Sequence, residues 1–169
     1  MRNAVQAIER LSEYVGIVGA CLIVPLVLVT CYEVFARYLF GAPTIWVYEI
    51  GYTLTGSHFL LGMALTLKYG DHIRIDIFSG HFKPRTRAII DLVGYAVLLP
   101  LTVWLVIYLY QYFHTGWVQN EKSGQSALNM PVWPFRLVFV AAFLLLALQI
   151  LAEVFKAVRA LSALQRAEA

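Results

Sequence analysis

Charge is what this 169-residue chain has least of: Asp, Glu, Lys and Arg make up 14% of it, against about 25% in an average soluble domain. Cysteine is nearly absent. The two thiols, Cys21 and Cys31, stand ten residues apart on one apolar stretch, too far along a helix to join, so a disulfide-stapled secreted fold is excluded. There is no glycine-rich phosphate loop, no cysteine pair outside the apolar stretches and no nucleophile set beside a base, which removes the common nucleotide-binding and hydrolytic chemistries. No internal repeat or low-complexity tract is present, and nothing in the charge pattern points to nucleic acid.

What remains is apolar and long. Four stretches, 14–32, 45–67, 88–113 and 132–154, reach or exceed the roughly 20 residues that cross a bilayer's hydrocarbon core. Together with their connections they use nearly the whole chain, so the expected fold is all-α, a single membrane domain over 1–169 built as a bundle of four transmembrane helices. The first stretch is longer than a signal peptide's apolar core and lacks a small-residue cleavage pattern, which predicts a retained anchor. Ahead of it Val5, Ile8 and Leu11 recur at helical spacing among Arg2, Glu9, Arg10 and Glu13, the pattern of an amphipathic segment that either lies at the interface or continues the first span. Pro25 and Pro100 fall mid-span and predict kinks.

The basic residues set an orientation. Ten of the thirteen precede the first stretch, join the second to the third, or follow the fourth; only Arg37, Lys122 and Arg136 stand on the other side. The positive-inside rule therefore puts both termini and the middle loop in the cytoplasm. Trp46, Trp117 and Trp133 fall at the opposite ends of the spans, where an indole is apolar in its body and wet at its edge.

Ionisable residues inside a membrane are costly and mark function. Here they lie near the ends. Glu33, Arg37, Glu49 and Arg136 sit toward the outer side, Asp91 and Glu153 toward the inner, and no carboxylate or basic residue occupies the midplane. That distribution argues against a transport path within this chain alone. His58 is the mid-span exception, on one helical stripe with Gly51, Thr55, Gly62 and Thr66, a row suited to close helix approach with an imidazole hydrogen bond across it. A bis-histidine haem would need a second histidine at that depth; His72 and His81 fall in the middle loop and His114 ends the third span, so no haem is expected. Asp71, His72 and Asp76 lack a fourth ligand at a recognisable spacing, and no metal is expected either. In the same loop Ile73, Ile75 and Ile77 alternate with Arg74 and Asp76, which suits a segment lying against lipid or a partner.

The order Glu49, Gly62, Ala64, then Gly70, His72, Ile73, Arg74, Ile75, Asp76 and Phe78, followed by Pro84, Arg87, Asp91 and Gly94, resembles the small membrane subunit (DctQ-like) of tripartite ATP-independent periplasmic (TRAP) transporters. Trp117, Glu121, Ser123, Pro131, Trp133, Gln149 and Glu153 extend the resemblance over nearly the whole chain. Ala127, Leu128 and Asn129 depart from it, where many members carry a glycine-rich turn. The resemblance implies a non-catalytic scaffold in the bacterial inner membrane, without cofactor, whose partners are a large membrane subunit, a periplasmic substrate-binding protein and membrane lipid, in a sodium-driven importer of organic acids. It also implies roles. Arg74, Asp76, Arg87, Asp91 and Glu153 would form an inner network facing the large subunit or the membrane surface, joined by the Gly51, Thr55, His58 and Gly62 face. Arg37 and Glu49 would pair near the outer surface, and Glu121, Ser123 and Trp133 would lie where the binding protein docks. The rival class is the membrane anchor of a respiratory or redox enzyme, which would need paired haem histidines or a polar quinone site, and neither is visible.

Overall fold

The computed structural model describes residues 2–69 and 84–168. Five helices follow one another: α1 Arg2–Cys21, α2 Ile23–Leu39, α3 Val47–Tyr69, α4 Pro84–Val118 and α5 Trp133–Glu168. Helices α1 and α2 form one rod broken at Leu22. Pro25 has no N–H to give the Cys21 carbonyl, and three residues earlier the Leu22 N–H is shared between Val18 O and Gly19 O at 3.2 and 3.1 Å. The helix is interrupted ahead of Pro25, where the sequence predicts a kink, whereas helix α4 runs through Pro100 without a break. The amphipathic N-terminal stretch is the first part of α1, continuous with the apolar run that follows. Gly41, at φ 60°, turns the chain out of α2 so that the Ala42 N–H reaches back to Ala36 O at 3.0 Å.

Among the described residues three rods are long and apolar enough to cross a membrane: Asn3–Leu39, which unites α1 and α2, then Ile89–Val118 and Trp133–Arg159. Helix α3 has the length, 23 residues or about 34 Å, but Thr53, Thr55, Ser57 and His58 make it more polar. Its position explains how it tolerates them, since it is flanked by α1, α2 and α5. The rods alternate in direction, so one end of the bundle holds the start of α1 and the close of α3 and α5, and the other holds the 40–46 and 119–132 connections. We call these the terminal end and the loop end.

Helix α5 is the hub, packing on α4, α3 and α1, while α4 meets the rest of the molecule chiefly through α5. Ala142, Leu145, Leu146, Ala147, Ile150 and Ala152 are buried along it, and Leu67, Leu146 and Ile150 form a core joined by Met63, Leu99 and Phe143. Small side chains matter here because helices in lipid associate by close packing and hydrogen bonding rather than by escape from water. Helices α1 and α3 approach closely where glycines of α1 meet leucines of α3. A β-carbon at Gly16 would fall 2.6 Å from Leu65 Cβ, and one at Gly19 would fall 2.9 Å from Leu61 Cβ; at Gly51 and Gly62 it would meet nothing within 4 Å. Thr55 and Thr66 likewise turn back on their own helix, bonding Gly51 O and Met63 O at 2.8 Å. Of that stripe, His58 reaches across.

Candidate functional site

The loop end is built on a buried carboxylate. Glu49 stands in the first turn of α3, where the helix's free N–H groups favour negative charge, and its residue is 0% exposed. Its Oε1 accepts from Ser123 Oγ at 2.6 Å and Ser126 Oγ at 2.7 Å, and its Oε2 accepts from the Met130 N–H at 2.8 Å. All three donors belong to the connection between α4 and α5. That segment folds back on itself because Asn120, Gly124 and Asn129 adopt positive φ, at 47°, 62° and 52°. Ser123 N–H then reaches Met130 O at 2.9 Å, Val132 N–H reaches Glu121 O at 3.1 Å, and Asn129 Oδ1 takes the Gly124 N–H at 3.1 Å. Glu49 is the staple that fastens this loop to the bundle.

A second staple stands beside it. Arg136, in the first turn of α5, gives Nη1 to Glu121 Oε2 at 2.6 Å and to the Tyr112 carbonyl at 3.1 Å, with its guanidinium 3.5 Å from the centre of the Tyr112 ring. The guanidinium lies flat against α4 because residue 116 is glycine; a β-carbon there would come within 2.4 Å of Nη1. The Arg136 hydrogen bond holds the Glu121 carboxyl below the usual carboxylate range. Trp117 and Trp133 meet edge to face at 4.4 Å beside this pair.

At mid-depth His58 Nδ1 lies 2.8 Å from Gly19 O; since a carbonyl only accepts, Nδ1 carries the hydrogen. At the terminal end a chain of polar groups links α1 to α5. Ser12 Oγ donates to Gln149 Oε1 at 2.8 Å, Gln149 Nε2 to Glu153 Oε1 at 3.0 Å, and Lys156 bridges Glu153 at 2.5 Å and Glu9 at 3.0 Å. Lys68 joins Glu13 across α3 and α1 at 2.8 Å. Both ends are thus pinned by ionic or polar links, with apolar packing and one histidine between.

A family model described as tripartite ATP-independent periplasmic transporters, DctQ component, matches residues 26–160. The chain belongs to this family. It is therefore a DctQ component, a membrane subunit of a TRAP transporter, and the family brings with it a large membrane subunit and a periplasmic binding protein as partners. The redox-anchor alternative has no support from the match. A search of curated proteins found no match to the chain.

The structure of this DctQ component places the sequence-derived residues unevenly. Glu49 and Ser123 are joined directly, and Glu121 and Trp133 lie beside them. Arg37 and Glu49 are not paired, contrary to expectation. Arg37 bonds Glu33 one turn earlier at 2.5 Å, and Glu33 also receives the Thr44 hydroxyl and the Thr44 N–H, so this cluster stays local while Glu49 is enclosed by the loop. Arg74 and Asp76, with their loop, lie outside the described residues. Arg87 belongs to the first turn of α4, and Asp91, one turn on, is half-buried with no ion pair among the described residues. Glu153 joins Gln149, Lys156 and, through Lys156, Glu9 rather than Asp91. Sequence reasoning missed Ser12. Gln149, Glu153 and Lys156 share one face of α5 at i, i+4, i+7 spacing, a signal from which the Gln149–Glu153–Lys156 link could have been found.

Proposed function

We propose that this chain is the fixed scaffold of a sodium-driven, binding-protein-dependent importer of organic acids. It spans the bacterial inner membrane four times, with α3 as the fourth span and both termini in the cytoplasm. The observation that carries this reading is the distribution of charged groups: those described sit toward the two ends of the bundle, most of the carboxylates held in hydrogen bonds or ion pairs, and the interior between them carries no charged side chain, its polar groups being hydroxyls such as Ser57 and Thr102 and the imidazole of His58. A path for a solvated ion or an anion needs polar groups at mid-depth to replace water, and a scaffold does not. Substrate and sodium sites then belong to the large subunit. The stapled 119–132 loop is the rigid outer feature against which the binding protein docks, since docking is cheapest on a surface already ordered. The apolar faces of α2 and α4, where Val27, Leu28, Phe35, Val97, Leu101 and Trp104 are exposed, are left for lipid and the large subunit.

Reconstitution tests this directly. The chain alone in liposomes should show no uptake of any organic acid under a sodium gradient, with or without a binding protein, and co-expressed with its large subunit it should co-purify in equal proportion. Uptake by the chain alone would refute the scaffold reading.

A further inference from the structure

Arg136 is 7% exposed yet uses only one of its three nitrogens, Nη1, on Glu121 and the Tyr112 carbonyl. Among the described residues no fully buried side-chain nitrogen or oxygen lacks a hydrogen-bond partner, so Nε and Nη2, which have none, are the edge of the guanidinium that opens onto free space. Arg136 is in the lining of a cavity of about 490 Å³ between α3, α4, α5 and the 119–132 loop. Tyr52, Tyr112, Phe135 and Phe139 line it, Lys122 adds an ammonium, and Glu121 is its one carboxylate.

We propose that this cavity is a binding site for an amphipathic monoanion, a carboxylate or phosphate group carried on an apolar body, with Arg136 as its anchor. Nε and Nη2 lie on one side of the guanidinium and present parallel N–H donors, the geometry that matches two oxygens of an oxyanion. The donors are held in a mostly desolvated place, so leaving them unpaired costs more than it would in water and pairing them gains correspondingly more. Aromatic walls take the apolar body, and the volume falls within the roughly 300–1,000 Å³ of ordinary small-molecule sites. Glu121 disfavours a second negative charge close to the first, which selects a monoanion over a dianion. The shared chemistry has two sources, the headgroup of an anionic phospholipid or a soluble organic acid. The inference goes beyond the scaffold reading and does not rest on it.

The test uses the full chain, delipidated in a neutral detergent, with 4-fluorophenylacetate followed by fluorine NMR and the neutral 4-fluorophenylacetamide as control. The acid should bind saturably and the amide about tenfold or more weakly, the difference expected for losing a charge-assisted hydrogen bond. Arg136→Gln should abolish the preference for the acid. Because that variant also loses the Glu121 pair, Phe139→Trp serves as a second one, which fills the cavity and leaves Arg136 and Glu121 in place; it should weaken the acid as strongly. Phosphatidylglycerol that displaces the probe where phosphatidylcholine does not identifies the source as lipid, and undisturbed probe binding identifies a soluble acid. Absence of saturable binding, equal binding of acid and amide, or folded variants that bind as the wild type does would overturn the proposal.

Discussion

At Glu49 a buried carboxylate is satisfied by two hydroxyls and one backbone N–H, with no cation among its hydrogen-bond partners. Such a group acts as an acceptor for several donors at once, and an amide cannot replace it. Glu49→Gln puts an NH2 donor against at least one of those donors, so the loop should detach in part while the helices stay folded. A cysteine at Gln125, in a chain with Cys21 and Cys31 replaced, should then react with a thiol reagent about tenfold faster than in the Glu49 parent, following the rise in open population. Unchanged reactivity would show that the loop holds itself without the staple. Glu121 makes a different prediction. The folded chain protonates Glu121 at lower pH than the unfolded chain does, because Arg136 stabilises the carboxylate. Its contribution is therefore fully present above the ordinary glutamate pKa, about 4.3, and is lost as pH falls through the lower folded value. The difference in melting temperature between wild type and Glu121→Gln should be constant near neutrality and shrink below about pH 4. A difference that grows into acid would contradict the pairing.

At the scale of the helix the decisive feature is which glycines are crowded. On the α3 stripe of Gly51, Thr55, His58 and Gly62 both glycines are open, and the structure puts the crowding at Gly16 and Gly19 of α1 against Leu65 and Leu61 and at Gly56 of α3 against Phe135. Periodicity identifies a row of small residues; which row a neighbour's bulky side chains enter depends on the rotation and height of both helices. Gly16→Ala should destabilise the chain by about 1–3 kcal/mol, the usual cost of overpacking. Gly62→Ala, with nothing in its way, should stay within about 0.5 kcal/mol of wild type or gain from helix propensity. Reversible unfolding of the two variants in the same micelles measures both, and the opposite ranking would place the contact elsewhere. The polar link between α1 and α5 has a similar logic. Gln149→Leu leaves the buried Ser12 hydroxyl without its acceptor, a cost of about 1–3 kcal/mol, and Ser12→Ala in the same chain should recover part of it. Additive costs would mean the two side chains do not share a bond.

Over the whole molecule the bundle is fastened at both ends and packed in between, the form expected of a part that stays still while another moves. The orientation of that form rests on ten basic residues against three. Single cysteines at Ser79 and at Gln125 should therefore differ toward an impermeant thiol reagent added to intact cells, with Gln125 labelled and Ser79 protected until lysis. Labelling at Ser79 in intact cells would invert the topology and remove the loop end from the binding protein's side.

The all-helical class, the presence of long apolar rods, the break near Pro25 and the concentration of charge toward the ends were legible in the sequence, because apolar run length and the missing N–H of proline act locally, whatever the rest of the chain does. The family was legible too, from the order of residues such as Glu49, Asp91 and Trp133 along the chain. The partners of those residues were not. Glu49 and Ser123 are 74 positions apart, and Ser12 and Gln149 are 137 apart. Arg37 was the nearest opposite charge to Glu49 in the sequence, yet it took Glu33, which its own helix already held within reach. Only the packing of α1 on α3 and of α4 on α5 decided which distant donor met which acceptor, and the cavity beside Arg136 exists only where three helices and a loop enclose it.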